Sequence, residues 1–76
     1  MHRPFVTTVR FESENGIVMR LEYAVAAVDT ADAKTELERR FFDLEVEQYT
    51  IEKIMEATTL QARMLNLPPS CVMLLA

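Results

Sequence analysis

The chain has few of the residues that build covalent cross-links and metal sites. Its 76 residues include one cysteine, Cys71, and one histidine, His2. A lone cysteine excludes an intramolecular disulfide and a thiolate cluster, and Cys71 between apolar residues is typical of a small buried side chain. His2 has no Cys, His or Asp close to it in sequence, and no D-x-D-x-D-G loop is present. We therefore expect no catalytic residue, no cofactor and no metal ion.

Long apolar runs are also missing from the sequence. No stretch of 18 consecutive apolar residues occurs, and the chain does not begin with a basic segment followed by an apolar one. The first absence argues against a membrane-spanning helix and the second against a secretory signal. We expect a soluble cytoplasmic protein. A chain of 76 residues is predicted to form one domain, residues 1–76, of limited stability.

Basic residues are too few to balance the acidic ones, and the imbalance is local. The net charge is −4, which is unfavourable for direct binding to nucleic acid. Residues 29–56 carry nine acidic and four basic side chains, whereas residues 1–28 carry three of each. The acidic middle third is either a solvated face or a surface for a basic protein partner.

The only glycine, Gly16, separates two segments with the same pattern. Residues 4–12 and 17–25 alternate apolar and polar side chains with a period of two, which predicts two half-buried strands. A two-residue turn at Asn15 and Gly16 would set the apolar row of one strand against the polar row of the other. A one-residue change in register reverses every side chain, so this turn fails.

A three-residue loop from Glu14 to Gly16 brings both apolar rows onto one face. It pairs Phe11 with Met19 and places glycine at the third loop position, which needs a left-handed backbone. It also sets Arg10 opposite Arg20, a repulsion that the glutamates at the diagonal positions are expected to offset. A longer loop, which would pair Arg10 with a glutamate, is the alternative.

Asp29 and Thr30 provide the start signal of a helix, because either side chain can accept from free N–H groups of the first turn. Four apolar residues at helical spacing predict its buried stripe, namely Ala33, Leu37, Phe41 and Leu44. Phe42 lies one step off this stripe. It is either a core-edge residue or an exposed anchor.

Residues 46–56 fit either a strand or the first part of a long helix, and their clustered β-forming side chains favour the strand. One face of that strand would carry Tyr49, Ile51, Lys53 and Met55. A short helix over residues 60–66 is predicted to end before Pro68. The uncharged tail, residues 70–76, is expected either to pack as an added strand or to serve in oligomerisation.

These elements predict an α+β fold in ββαβα order. It is a two-layer sandwich whose three-stranded antiparallel sheet has the order 2-1-3, with one main helix on one face. The tail is a candidate for an extra C-terminal strand.

In size, acidity and hairpin-plus-helix plan, the chain resembles the small inhibitor proteins encoded by phages and other mobile elements, such as anti-CRISPR proteins. That resemblance implies a non-enzymatic protein that binds a host defence complex, sometimes by presenting acids where nucleic-acid phosphates would sit. We expect a protein-binding module whose partner has a basic surface. The candidate interface residues are Glu36, Phe42, Asp43, Glu45, Glu47, Glu52 and Glu56. The alternative is a self-assembling subunit that forms a homodimer through residues 70–76.

Overall fold

The computed structural model describes residues 2–58 and 72–75. The described elements, in chain order, are β1 (Arg3–Glu12), β2 (Val18–Ala27), α1 (Thr30–Asp43), β3 (Tyr49–Glu56) and β4 (Val72–Leu74). The strands form an antiparallel sheet with the order β3-β1-β2-β4, and α1 packs on one face of it. The α+β class, the antiparallel sheet and the single main helix on one face are therefore confirmed, whereas the strand order differs in detail from the predicted 2-1-3. The predicted helix over residues 60–66 and Cys71 lie outside the described residues.

The sheet has four strands rather than the three that were predicted, because the tail adds one. Val72 lies opposite Val25 and Leu74 opposite Tyr23, so β4 extends the sheet beyond β2. The N–H of Leu75 continues the pairing by donating to the carbonyl oxygen of Glu22 at 2.8 Å. The candidate extra strand of the tail is thus confirmed for Val72–Leu74.

The hairpin forms with the predicted register. Phe11 pairs with Met19, and Gly16 has a left-handed backbone with φ of 77°. The N–H of Ser13 donates to the carbonyl of Ile17 at 2.9 Å, which closes the three-residue loop. A second bond, from the N–H of Gly16 to the carbonyl of Ser13 at 3.0 Å, makes a turn inside it. The structure therefore has the three-residue loop and not the longer alternative, with both apolar rows on one face and Gly16 at the left-handed position.

Arg10 lies opposite Arg20, as predicted, but a different carboxylate offsets the repulsion. Arg20 Nε donates to Glu52 Oε1 at 2.8 Å, across the intervening strand β1. No diagonal glutamate makes an ion pair with either arginine within the described residues. Glu52 lies on the face of the sheet opposite the core, where alternation from the core-facing Tyr49 and Ile51 places it.

Residues 49–56 form a strand, which confirms the strand interpretation, but the predicted face was wrong in part. Thr8 lies opposite Lys53 and Val9 opposite Ile51, so Glu52 is an extra residue in β3. Such a bulge shifts the alternation by one residue. Tyr49, Ile51 and Ile54 therefore pack on the core, while Lys53 and Met55 point to the other face.

The helix begins where its cap predicts. Asp29 Oδ1 accepts from the N–H of Asp32 at 2.8 Å, and Ala33, Leu37 and Phe41 are buried. Leu44 was expected in the same stripe, but this was wrong, because the helix ends at Asp43 and leaves Leu44 exposed.

An aromatic cluster forms the centre of the core beneath α1. Phe41 makes edge-to-face contacts with Phe11, Tyr23 and Tyr49, at ring-centre distances of 5.5, 5.4 and 4.6 Å. The hydroxyl of the fully buried Thr7 donates to the carbonyl of Tyr23 at 3.2 Å, so the core carries no unsatisfied hydroxyl there. No helix within the described ranges has the length and apolar character needed to cross a membrane.

Candidate functional site

Two connections meet at one end of the sheet. β1 and β2 are antiparallel, and α1 returns the chain, so the β1–β2 turn and the α1–β3 loop lie side by side. The N–H of Glu12 donates to the carbonyl of Gln48 at 3.3 Å and ties the two connections together. Between them is a groove of about 500 Å³. We call it the acidic groove, and its lining residues are Phe11, Glu12, Ser13, Glu14, Ile17, Met19, Glu45, Val46, Glu47 and Gln48.

The floor of the acidic groove is apolar and anchored in the core. Phe11 contacts the Phe41 ring, and Val46 packs against the core cluster. Ile17 and Met19 are 66% and 53% exposed, which is unusual for large apolar side chains that share one groove. A partner that covered them would gain binding free energy from the apolar area removed from water.

The rim of the acidic groove has one sign of charge. It carries four carboxylates and no lysine or arginine among its described lining residues, the acids being Glu12, Glu14, Glu45 and Glu47. None of the four makes an ion pair with another described residue. Their potentials therefore add at the mouth of the groove, where they favour a cationic ligand.

Glu47 also lines two other clefts beside the acidic groove. One, of about 440 Å³, is also lined by Glu12, Glu14 and Arg10, so one guanidinium borders three of the four groove acids. The other, of about 550 Å³, is shared with Arg39 and with Phe42, whose side chain is 82% exposed. Phe42 is thus exposed, not a core-edge residue, and it extends the apolar surface along the helix side.

Tyr49 lines both of these clefts. Burial raises the pKa of the Tyr49 phenol, and the negative charge of Glu38 raises it further. The phenol is therefore neutral at physiological pH. It adds an uncharged, hydrogen-bonding wall to an otherwise charged surface.

The backbone of Glu45 is in the left-handed region, with φ of 59°. The N–H of Glu45 donates to the carbonyl of Phe42 at 3.1 Å, and that of Val46 donates to the carbonyl of Phe41 at 2.8 Å. These two bonds are the helix-ending motif in which glycine usually occupies the left-handed position. A side chain there costs about 1 kcal/mol, and the residue that bears this cost is a carboxylate on the groove rim.

We expect Glu45→Gly to stabilise the fold by about 0.5–1 kcal/mol, because glycine adopts the left-handed backbone without strain. Urea unfolding followed by circular dichroism measures the change. The matched control is Glu47→Gly, which removes the same charge two residues away at a position without positive φ and should destabilise. Equal stability changes in the two variants would contradict the strain at Glu45.

The structure separates the predicted interface residues into two groups. Four of them lie in or next to the α1–β3 loop, namely Phe42, Asp43, Glu45 and Glu47. The other three are ion-paired within the chain: Glu36 with Arg39 at 3.3 Å, Glu52 with Arg20 at 2.8 Å, and Glu56 with Arg3 at 3.1 Å. Because Glu52 points to the face opposite α1, these seven residues do not form one continuous surface.

Sequence reasoning missed the contribution of the hairpin to this end of the molecule. Residues 1–28 are neutral in sum, which hid the fact that Glu12 and Glu14 come together with the acids of the loop. The predicted ββα path already places both connections at one end of the sheet. That topology, rather than the charge count, was the signal that could have revealed the acidic groove.

No group of three or more His, Cys, Asp or Glu side chains within residues 2–58 and 72–75 is arranged to hold a metal ion. No protein-family model, curated protein or solved structure matches this chain. Its function is therefore inferred from the chemistry of the acidic groove.

Proposed function

We propose that this protein is a non-enzymatic binding module whose acidic groove takes a basic, amphipathic segment of a protein partner. The observation that carries the proposal is the combination of an apolar floor with four carboxylates that make no ion pair within the described part of the chain. A purely solvated acidic face needs no such floor. A segment that presents lysine or arginine beside large apolar side chains complements both features.

The two features have different roles in such binding. The apolar floor at Ile17 and Met19 supplies affinity through buried area. The carboxylates speed association and select against acidic partners, and their effect falls as salt screens them. Basic surfaces of this kind occur on complexes that bind nucleic acid. The proposed partner class is therefore a nucleic-acid-binding host defence complex, whose phosphate-binding surface the groove acids would occupy in an inhibitor.

A defined probe tests the proposal without knowledge of the natural partner. A fluorescent peptide of alternating lysine and leucine should bind the protein, whereas the glutamate–leucine counterpart should not. Raising the salt from roughly 0.03 to 0.3 M should weaken binding severalfold, because the Debye length shrinks. Fluorescence anisotropy gives the dissociation constant, and amide shifts should map to Ile17, Met19 and Glu47.

Two variants with the same charge change separate the groove from net charge. Glu47→Gln should weaken binding of the lysine–leucine peptide about two- to fivefold, the range expected for one exposed charge contact. Glu22→Gln removes an exposed acid of β2 outside the groove and should leave binding unchanged. If both variants weaken binding by the same factor, or if the acidic peptide binds equally well, the groove is not the site.

Phe42→Ala tests whether the exposed ring is an anchor. The side chain is 82% exposed, so its loss should change the free energy of unfolding by less than about 0.5 kcal/mol. An anchoring aromatic residue contributes more than about 1 kcal/mol to binding, so the peptide should bind at least fivefold more weakly. Anisotropy measures the binding and urea unfolding measures the stability. Unchanged binding would remove Phe42 from the site.

A further inference from the structure

The strand β3 has an open edge within the described part of the chain. It pairs with β1 on one side, and no described strand pairs with its other side. Gln48 accepts from Glu12, and Ala57 donates to Pro4, so both residues direct their backbone groups toward β1. Along a strand, the backbone N–H and C=O groups of successive residues point alternately toward one neighbouring strand and away from it. We count from Gln48 and from Ala57 toward the middle of β3 and treat Glu52 as the extra residue, which gives the direction of the backbone groups of each residue between them. The outward-facing backbone groups are those of Tyr49, Ile51, Ile54 and Glu56.

Because of the bulge, the order of core-side and opposite-side residues along β3 is the same in both chain directions. The residues on the core side of β3 are Tyr49, Ile51, Ile54 and Glu56, and those on the opposite side are Thr50, Glu52, Lys53 and Met55. In a regular strand of eight residues, reversal exchanges the two faces, because the side-chain period is two. With the extra residue at Glu52, reversal leaves the core-side residues on the core side. A reversed copy of β3 therefore matches it face for face.

We propose that a second copy of this chain pairs with the first along this edge, antiparallel, with the two-fold axis between Glu52 and Lys53. The two sheets then form one continuous sheet, with both α1 helices on the same face because the axis is perpendicular to the sheet. Outward-facing Ile51 lies opposite the partner's outward-facing Ile54, so the unpaired N–H and C=O groups satisfy each other.

Charge complementarity selects this register. Glu52 lies opposite the partner's Lys53, and the symmetry repeats that contact. Lys53 is exposed and makes no ion pair with a described residue, so it is free to bind a carboxylate. Arg20 engages Glu52 through Oε1 and holds the side chain in place. Opposite charges directly across a strand pair stabilise it, and like charges destabilise it.

A bulge and a charged residue are also devices that protect an edge from pairing. If that is their role here, the protein stays monomeric and its mass does not depend on the charges at Glu52 and Lys53. The proposed contact involves the eight residues of β3 from each copy, fewer than a standard interface has, so we expect a dissociation constant in the micromolar range. The proposal does not depend on the acidic groove, whose peptide test can succeed or fail independently.

The test uses sedimentation equilibrium of the full chain from roughly 10 to 500 micromolar, a range suited to a weak interface. The wild type should dimerise. Lys53→Glu places two carboxylates opposite two others, and Glu52→Lys places ammonium groups opposite ammonium groups. Each variant alone should dimerise at least tenfold more weakly, because two attractive pairs become repulsive. An equimolar mixture of the two variants restores both attractive pairs and should form a heterodimer.

The amides of Ile51 and Ile54 give a second readout. Their N–H groups face outward, so their exchange with solvent should slow as the wild-type concentration rises. A monomer throughout the concentration range overturns the proposal. A dimer that both single variants retain also overturns it, and would assign self-association to another surface, such as the tail at residues 70–76. Failure of the mixed variants to associate, with each one folded by circular dichroism, overturns it as well.

Discussion

Replacing Phe41 with alanine should leave the protein largely unfolded or close to it. Phe41 is 2% exposed and contacts three other aromatic rings, so its removal leaves a cavity beneath α1. Deleting a buried phenylalanine side chain costs about 3–5 kcal/mol. A chain of 76 residues has a total stability of about 4–11 kcal/mol, so the variant would lose a large part of it.

The adjacent residue provides the control for this prediction. Phe42→Ala removes the same side chain one position along the helix, but from an exposed site, and should leave the free energy of unfolding nearly unchanged. Urea unfolding of both variants, followed by circular dichroism, measures the difference. A loss below about 1 kcal/mol for Phe41→Ala, or equal losses for both variants, would mean that the aromatic cluster does not organise the core.

The hairpin and the helix could be predicted because their patterns allow one solution. Two alternating rows that both need burial exclude the two-residue turn, and Gly16 at the left-handed position favours the three-residue loop over a longer one. Asp29 caps the helix because its carboxylate precedes the apolar stripe. In each case, a local signal and the burial requirement agree.

The bulge in β3 could not be predicted from β3 alone. Strict alternation from Tyr49 puts Ile51 and Ile54 on opposite faces, and neither choice of face buries both. The extra residue at Glu52 solves this by shifting the alternation, at the expense of one regular pair with β1. Only the register with β1, a long-range property, identifies where the shift occurs. The ion pair between Arg20 and Glu52 was missed because it joins two strands that are not neighbours in the sheet.

The candidate site was predicted in part, because the charge of a sequence segment does not show which charged side chains lie close together in the folded chain. Counting found the loop acids Glu45 and Glu47, which line the acidic groove. It also included Glu52 and Glu56, whose charges are offset by Arg20 on β2 and Arg3 on β1. Which acids remain unpaired depends on cross-strand neighbours, and these are known only once the register is known.

Deleting residues 70–76 should lower the free energy of unfolding by about 2–4 kcal/mol, because β4 covers the outer edge of β2 and Val72 packs on the core. For a domain of this size, that loss lowers the melting temperature by roughly 10–30 °C. Scanning calorimetry measures it. The loss is smaller than four fully buried side chains would give, because Met73, Leu74 and Leu75 stay exposed.

Two point variants in β4 separate packing from strand pairing. Val72→Asp replaces a half-buried apolar side chain that packs against the core cluster with a charged one, and it should destabilise nearly as much as the deletion, since removing a charge from water is unfavourable. Met73→Asp places the same charge on the opposite, exposed side of the strand and should cost about 0.5 kcal/mol or less. If both variants and the deletion have the melting temperature of the wild type, β4 does not contribute to the stability of the fold, and the tail is free to bind elsewhere.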